Sequence, residues 1–248
     1  MVAMVIDDFG SSRQIAVEFT ELWLPLTWAI LPFESHSSFC ARTASEAGIP
    51  YLVHMPMSAV NDAVTPANGG VRDMDSGMPP SEMSDMLLAA LESLPDAVGL
   101  NNHRGSRATA DAGLMRDFME ILSGFSLVFL DSRTTSLSTA YDKAVERGVP
   151  AAYSSVFLDN QADEESMRAQ LLRGLAMAER RGWVVLIGHA RSATLGFLKN
   201  TERAAFEDVL LLTLPELIRR LDMRPPSGNG GETELSLDES AYEGSARP

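Results

Sequence analysis

The sequence predicts an α/β fold: a distorted (β/α)7-type barrel of parallel strands forming one domain over residues 1–224, with a disordered acidic tail over 225–248. Three observations carry this prediction. Short apolar runs alternate with longer segments of helical period seven times. Most of these runs are apolar at successive positions rather than at every second one, which suits strands covered on both faces. Their starts lie 24, 25, 46, 30, 24 and 32 residues apart, close to one strand–helix unit each. Repeated units of that kind imply parallel strands joined by right-handed crossovers. An open doubly wound sheet is the rival architecture, but seven units in about 220 residues point more to a barrel, complete or not.

In chain order the runs are Val2–Ile6, Leu26–Leu31, Tyr51–His54, Ala97–Leu100, Leu127–Leu130, Ala151–Leu158 and Trp183–Ile187. The clearest helix between them is Asp163–Arg181, where Met167, Leu171, Leu175 and Ala178 fall on one stripe and charges take the other side. Arg180, Arg181 and Gly182 then read as a helix stop. Ser45–Pro50 and Glu146–Pro150 repeat that punctuation, with a glycine and then a proline ahead of the next strand. The long third interval contains Ser58–Pro80, rich in Gly, Pro, Asn and Asp, which reads as a loop on the face where the strands end. From Pro225 the hydrophobic period fades and five acids stand against one arginine, the composition of a disordered tail.

Composition narrows the function classes. With 248 residues, 26.9 kDa and 45% hydrophobic content, the chain can bury a sizeable core. A formal charge of −14 argues against nucleic acid or an anionic membrane as the main partner. The single cysteine, Cys40, rules out an intrachain disulfide and a cysteine-based zinc finger. No apolar run is long enough to span a bilayer. No signal peptide is recognisable, and Met1–Ile6 already reads as a core strand. The expectation is therefore a cytoplasmic protein as it stands, or a periplasmic or cell-envelope one if a leader has been removed. Oligomeric state is left open.

Placement of the polar residues is the informative signal. Three of the four histidines sit at or just past a strand end: His54, His103 and His189. The first run leads into Asp7 and Asp8, the fifth into Asp131-Ser132-Arg133. In a parallel β/α fold all strand C-termini gather on one face, so these residues converge there. Each has a structural reading by itself: an Asp pair as a turn or cap, a histidine as a hydrogen-bonded framework residue, Asn101-Asn102 as partners for loop backbone groups. Together they amount to two imidazoles and a carboxylate for a divalent metal, a second carboxylate to take a proton from water, and a further histidine to protonate a leaving group. That is equipment for metal-assisted hydrolysis. The chain has no G-x-S-x-G elbow, no phosphate loop of the G-x-x-x-x-G-K-[ST] kind and no G-x-G-x-x-G turn after its first strand.

Seven ordered segments then resemble the motifs of the divergent polysaccharide deacetylase family: Val5–Gly10, Ala29–Pro32, His54–Met57, Gly99–Ser106, Phe129–Thr134, Val156–Asn160 and Ile187–His189. The resemblance covers roughly Val2 to Leu198. It implies a distorted β/α barrel related to the NodB-type carbohydrate esterases, which remove acetyl groups from glycans with a metal ion. Carried over, Asp7 is the general base, Asp8 a metal ligand, His54 a second ligand and His189 the general acid. The related enzymes take two histidines from one H-x-x-x-H turn. Here Ser58 stands four residues after His54, so His103 is expected to supply the missing ligand. Asn102, Arg104 and Ser106 are expected to bind substrate or support the ligands. Asp131 and Arg133 are expected to keep Asp7 ionised or fix a histidine tautomer, with a loop-anchoring salt bridge as the equal alternative for Arg133. Arg104, Ser58 and Ala190 depart from the usual Met, Glu and Pro of the family.

The leading expectation is a metal-dependent deacetylase of an N-acetylated cell-envelope polysaccharide, peptidoglycan- or chitin-like. Its ion is Zn2+ first, although oxygen and nitrogen ligands also admit Co, Ni or Mn. A non-catalytic envelope module that binds glycan or a partner is the second reading. A metal-dependent hydrolase of another ester or amide is the third.

Overall fold

The computed structural model describes residues 1–62 and 73–223. The expected tail from Pro225 and the middle of the Ser58–Pro80 loop lie outside the described residues. In chain order the elements are β1 (Val2–Phe9), α1 (Arg13–Phe19), β2 (Leu26–Ile30), α2 (Ser37–Glu46), β3 (Tyr51–Met57), α3 (Pro80–Ser93), β4 (Gly99–Arg104), α4 (Ala112–Leu122), β5 (Val128–Asp131), α5 (Ala140–Glu146), β6 (Ala151–Tyr153), β7 (Val156–Phe157), α6 (Glu164–Arg181), β8 (Val184–His189), α7 (Ser192–Asn200), a short 3-10 turn at Arg203–Phe206, β9 (Leu211–Leu212) and α8 (Leu214–Asp222). Every strand pairing is parallel, and the sheet runs β6-β5-β4-β3-β2-β1-β8-β7, with β9 added beside β1. The architecture is the single-domain distorted barrel that the sequence predicts.

The sixth apolar run divides into β6 and β7, and that division shapes the barrel wall. β6 pairs with β5, whereas β7 pairs with β8 on the other side. Ser154 N still donates to Asp131 O at 2.8 Å, and Ser155 N already donates to Val185 O at 3.0 Å. One stretch of chain thus changes partners within two residues. The sheet curls until its edges meet across this stretch, without a regular eighth ladder between β6 and the start of β8.

Period-two alternation along the strands divides the apolar residues between two clusters. Val2, Met4 and Ile6 pack outward beneath the helices, while Ala3, Val5, Ala29, Leu52, Leu130, Ala152, Val185 and Ile187 fill the barrel interior. All residues of β2 and β3 are buried, which explains why these runs read as continuously apolar. α6 ends at Gly182 in the left-handed region at φ 89°, and the Gly182 N–H donates to Ala178 O. No helix among the described residues is long and apolar enough to cross a membrane.

The end of the barrel opposite the site is plugged by α8, an element the sequence reading did not single out. Leu214, Leu217 and Ile218 join the interior cluster. Leu214 N donates to the buried Thr27 Oγ1 at 2.9 Å, and Thr213 with Glu216 forms a capping box. The Thr-Leu-Pro-Glu run was a legible helix start, but nothing local announced that its apolar face belongs inside the barrel.

β4 lies close against β5 at Gly99, where an added Cβ would collide with the Val128 carbonyl oxygen and side chain. Gly99→Ala is expected to force the two strands apart and cost about 1–3 kcal/mol. A urea titration would show this as a lowered midpoint with unchanged slope; an unchanged midpoint would contradict the packing described here.

Candidate functional site

The alternation that sends Ala3 and Val5 into the barrel also sends Asp7 there. It turns His54 inward two residues after Leu52, and His189 two residues after Ile187. Register completes the set: Asp7 sits opposite His189 on the neighbouring strand, and His54 opposite Asn101. His103 follows Asn101 at the next inward position of β4. Five polar side chains therefore ring the open, C-terminal end of the barrel, above an apolar interior.

Asp8 reaches the same place by a different route. Strict alternation would turn it away from Asp7, to the outside of the sheet. Instead the β1–β2 register shifts between Ile6 and Phe9, and Asp8 takes φ 66°, left-handed for a non-glycine residue. The strand kinks and brings both neighbouring carboxylates to the mouth. Held backbone strain of this kind concentrates at functional sites.

The resulting contacts are tight. His54 Nε2 and His103 Nδ1 each lie 3.3 Å from Asp8 Oδ1, and the two nitrogens are 3.1 Å apart. The ligand atoms of Asp8, His54 and His103 fall within 4.8 Å of one another. Asp8 Oδ1 is buried yet accepts no well-oriented hydrogen bond. An orphaned carboxylate oxygen facing two imidazole nitrogens fits a divalent cation. The side chains of Asp8, His103 and His189 remain 28%, 29% and 18% exposed, so a ligand can approach from solvent. Asp7 and His54 lie deeper, fully buried.

Burial and neighbouring charge pull these groups in opposite directions. Burial dominates at Asp7 and raises its carboxyl above the ordinary carboxylate range, against His54 and His189. Burial would raise Asp8 as well, but the His103 and His54 imidazoles outweigh it and hold Asp8 well below that range. Burial disfavours the charged form of His54, yet Asp7 and Asp8 prevail and raise it.

His189 has its own partner, a residue to which sequence reasoning gave no role. Asp159 Oδ1 lies 2.7 Å from His189 Nδ1, and its Oδ2 accepts the His189 N–H at 2.8 Å and the Thr194 hydroxyl. This carboxylate fixes the ring and leaves Nε2 as its free nitrogen. Burial opposes charge on both groups, but their pairing prevails: His189 is raised and Asp159 lowered. The signal was present, since Asp159 closes the sixth apolar run as Asp7 closes the first.

The remaining predicted residues fasten loops rather than face the cluster. Asn102 Nδ2 donates to Arg104 O at 2.7 Å, and its Oδ1 accepts Ser132 N at 2.8 Å. Its neighbour Asn101 is the one that points inward. Arg104 pairs with Asp62 at 2.9 Å and with Asp73, and the Ser106 hydroxyl accepts Val60 N at 3.0 Å. Ser58 donates to Asp75 at 2.6 Å. The expected link from Asp131 and Arg133 to Asp7 or a histidine is replaced by local contacts. Asp131 accepts from Arg133 N, the Ser138 hydroxyl and Tyr141 N, while the Arg133 guanidinium lies 3.6 Å from the Tyr153 ring centroid. Asp131 follows the inward Leu130, so alternation turns its carboxylate toward its own loop. Arg191, not singled out from sequence, brings Nη2 to 3.9 Å from Asp8 Oδ2 at the rim.

Fold and site together define the class: a single-domain parallel β/α barrel with an aspartate–histidine cluster at its C-terminal mouth. The chain belongs to the divergent polysaccharide deacetylase family, whose model matches residues 4–218. A Haemophilus influenzae protein is 33% identical over 225 residues, covering 91% of this chain and 79% of its own. Escherichia coli YibQ is 30% identical over 230 residues, covering 92% and 71%. The crystal structure of Agrobacterium tumefaciens ATU2773 shares the fold, with a TM-score of 0.79 at 20% identity over 87% of this chain and 88% of that one.

The Asp159–His189 pair makes a signed prediction. His189 titrates above its ordinary 6.5 in the folded protein, so its contribution to stability is fully present below 6.5 and is lost as pH rises through the raised value. Asp159 contributes above its ordinary 3.8, and that contribution is lost as pH falls through the lowered value. Asp159→Asn is expected to move the His189 midpoint down, read by NMR, and to lower stability in the window between. Equal midpoints in the two proteins would refute the pairing.

Proposed function

We propose that the protein is a metal-dependent deacetylase of an N-acetylated cell-envelope polysaccharide, peptidoglycan- or chitin-like. The observation that carries this reading is the Asp8–His54–His103 cluster, flanked by Asp7 on one side and His189 on the other. Family membership supports acyl chemistry on a glycan, and the donor set supports a divalent ion, zinc first. A substrate of this kind puts its site of action in the periplasm or cell envelope.

A divalent ion held by Asp8, His54 and His103 would supply Lewis-acid activation of water and of the acetamide carbonyl. The protein's own groups do the rest. Asp7, buried and with a raised carboxyl, takes a proton from the attacking water. His189, anchored through Nδ1 by Asp159, keeps Nε2 for the departing nitrogen and protonates it as the C–N bond breaks. The products are acetate and the free amino sugar. The exposed faces of Asp8, His103 and His189 admit the acetamido group from the open end, while the apolar interior and α8 close the other.

Purified protein is expected to retain a divalent ion by elemental mass spectrometry and to release acetate from chitin oligomers or peptidoglycan. Asp8→Ala should lose the ion. Asp7→Asn should keep it while kcat falls by about 10²–10⁴-fold. A wild-type chain that takes up no divalent ion would overturn the reading. Metal-loaded protein that binds the oligomers but releases no acetate would instead make it a glycan-binding module.

A further inference from the structure

Asn101 lies at the centre of the site and touches both halves of it. It is fully buried. Its Nδ2 donates to Asp7 Oδ1 at 2.9 Å and to Ser132 Oγ at 3.2 Å, and its Oδ1 lies 2.8 Å from His54 Nδ1. β4 and β1 are not adjacent in the sheet, so the bond to Asp7 crosses the barrel interior. Both amide hydrogens and the amide oxygen are engaged, which leaves little freedom in how the group is oriented.

We infer that Asn101 is a positioning residue that sets the polarity of the site, by holding Asp7 in place and forcing His54 to present Nε2 as a lone pair. This rests on the metal-dependent reading above. An ionised Asp7 can only accept, so the amide nitrogen faces it. The amide oxygen must then face His54 Nδ1, and two acceptors cannot share a hydrogen bond. Nδ1 therefore carries the proton, and Nε2 is left bare on the side of Asp8 and His103. A metal-ligating histidine takes its tautomer from the partner of its other nitrogen; here that partner is an amide whose own direction is dictated by the proposed base. The arrangement depends on the strand pairing of His54 with Asn101. The β4 strand that supplies His103 thus also supplies the residue that orients His54.

Two substitutions separate this role from simple packing. Asn101→Asp keeps an acceptor for His54 Nδ1 but sets a second carboxylate against Asp7. Asn101→Leu removes both contacts at similar volume. Zinc affinity, from competition with a chelator, is expected to stay close to wild type in Asn101→Asp and to fall about 10–100-fold in Asn101→Leu. Acetate release by zinc-loaded Asn101→Asp should fall by at least roughly tenfold in kcat. A third measurement needs no variant: in zinc-loaded wild-type protein with 15N-labelled histidine, His54 should show a protonated Nδ1 and a metal-bound Nε2. A bare or metal-bound Nδ1, or an Asn101→Leu variant with wild-type zinc affinity, would overturn the inference while leaving the deacetylase reading intact. If wild type takes up no zinc, that reading fails instead. The His54 tautomer of the metal-free protein in alkaline buffer then decides the inference, Nδ1–H supporting it and Nε2–H refuting it.

Discussion

Two consecutive residues of a β-strand face opposite sides of the sheet, yet the site needs both Asp7 and Asp8 on one side. The break in β1 resolves this conflict. The register with β2 slips between Ile6 and Phe9, and Asp8 takes a left-handed backbone. Without that kink, Asp8 would point beneath the helices, and His54 and His103 would share no carboxylate. β1 is also the strand that pairs with β2, β8 and β9. The strained residue is therefore held by the most heavily paired strand of the barrel, the setting in which a costly conformation persists.

Around that kink the protein gathers more charge than a buried site tolerates unless the groups are paired. The solution has two tiers. In the deeper one, Asp7, Asn101 and His54 form a hydrogen-bonded chain with Ser132 at its edge. Near the mouth, His189 leans on Asp159, which the Thr194 hydroxyl also holds, while Asp8 and His103 face the opening. Asp8 Oδ1, a buried oxygen without a good hydrogen bond, is the atom both imidazoles approach. Electrostatic imbalance is confined to the place where a cation fits.

The rim is built differently from the mouth. Arg104 and Arg107 are committed to Asp62, Asp73 and Asp75. Ser58, Asn102, Ser106 and Asp131 tie adjacent loops together. These residues keep the strand-end loops in place around the cluster rather than adding donors to it. Ser58 and Arg104, two of the three positions expected to differ from the usual family motifs, fall within this scaffolding.

Much of the barrel was legible in the sequence because strand runs and helix stops are local signals. Successive apolar residues marked β2 and β3 as strands covered on both faces, Gly182 marked the end of α6, and strand-end placement picked out Asp7, Asp8, His54, His103 and His189. What the tertiary structure alone decided was orientation. Whether Asn101 or Asn102 faces the interior depends on the register of β4. Whether Asp8 joins Asp7 depends on a bulge, and whether Asp159 meets His189 depends on where the sixth run changes partner. The fate of α8 was equally hidden, since an amphipathic helix states that it must bury a face but not against what. Local sequence fixes period and propensity, whereas the direction of a side chain across a barrel follows from strand pairing and backbone handedness, which only the assembled sheet determines.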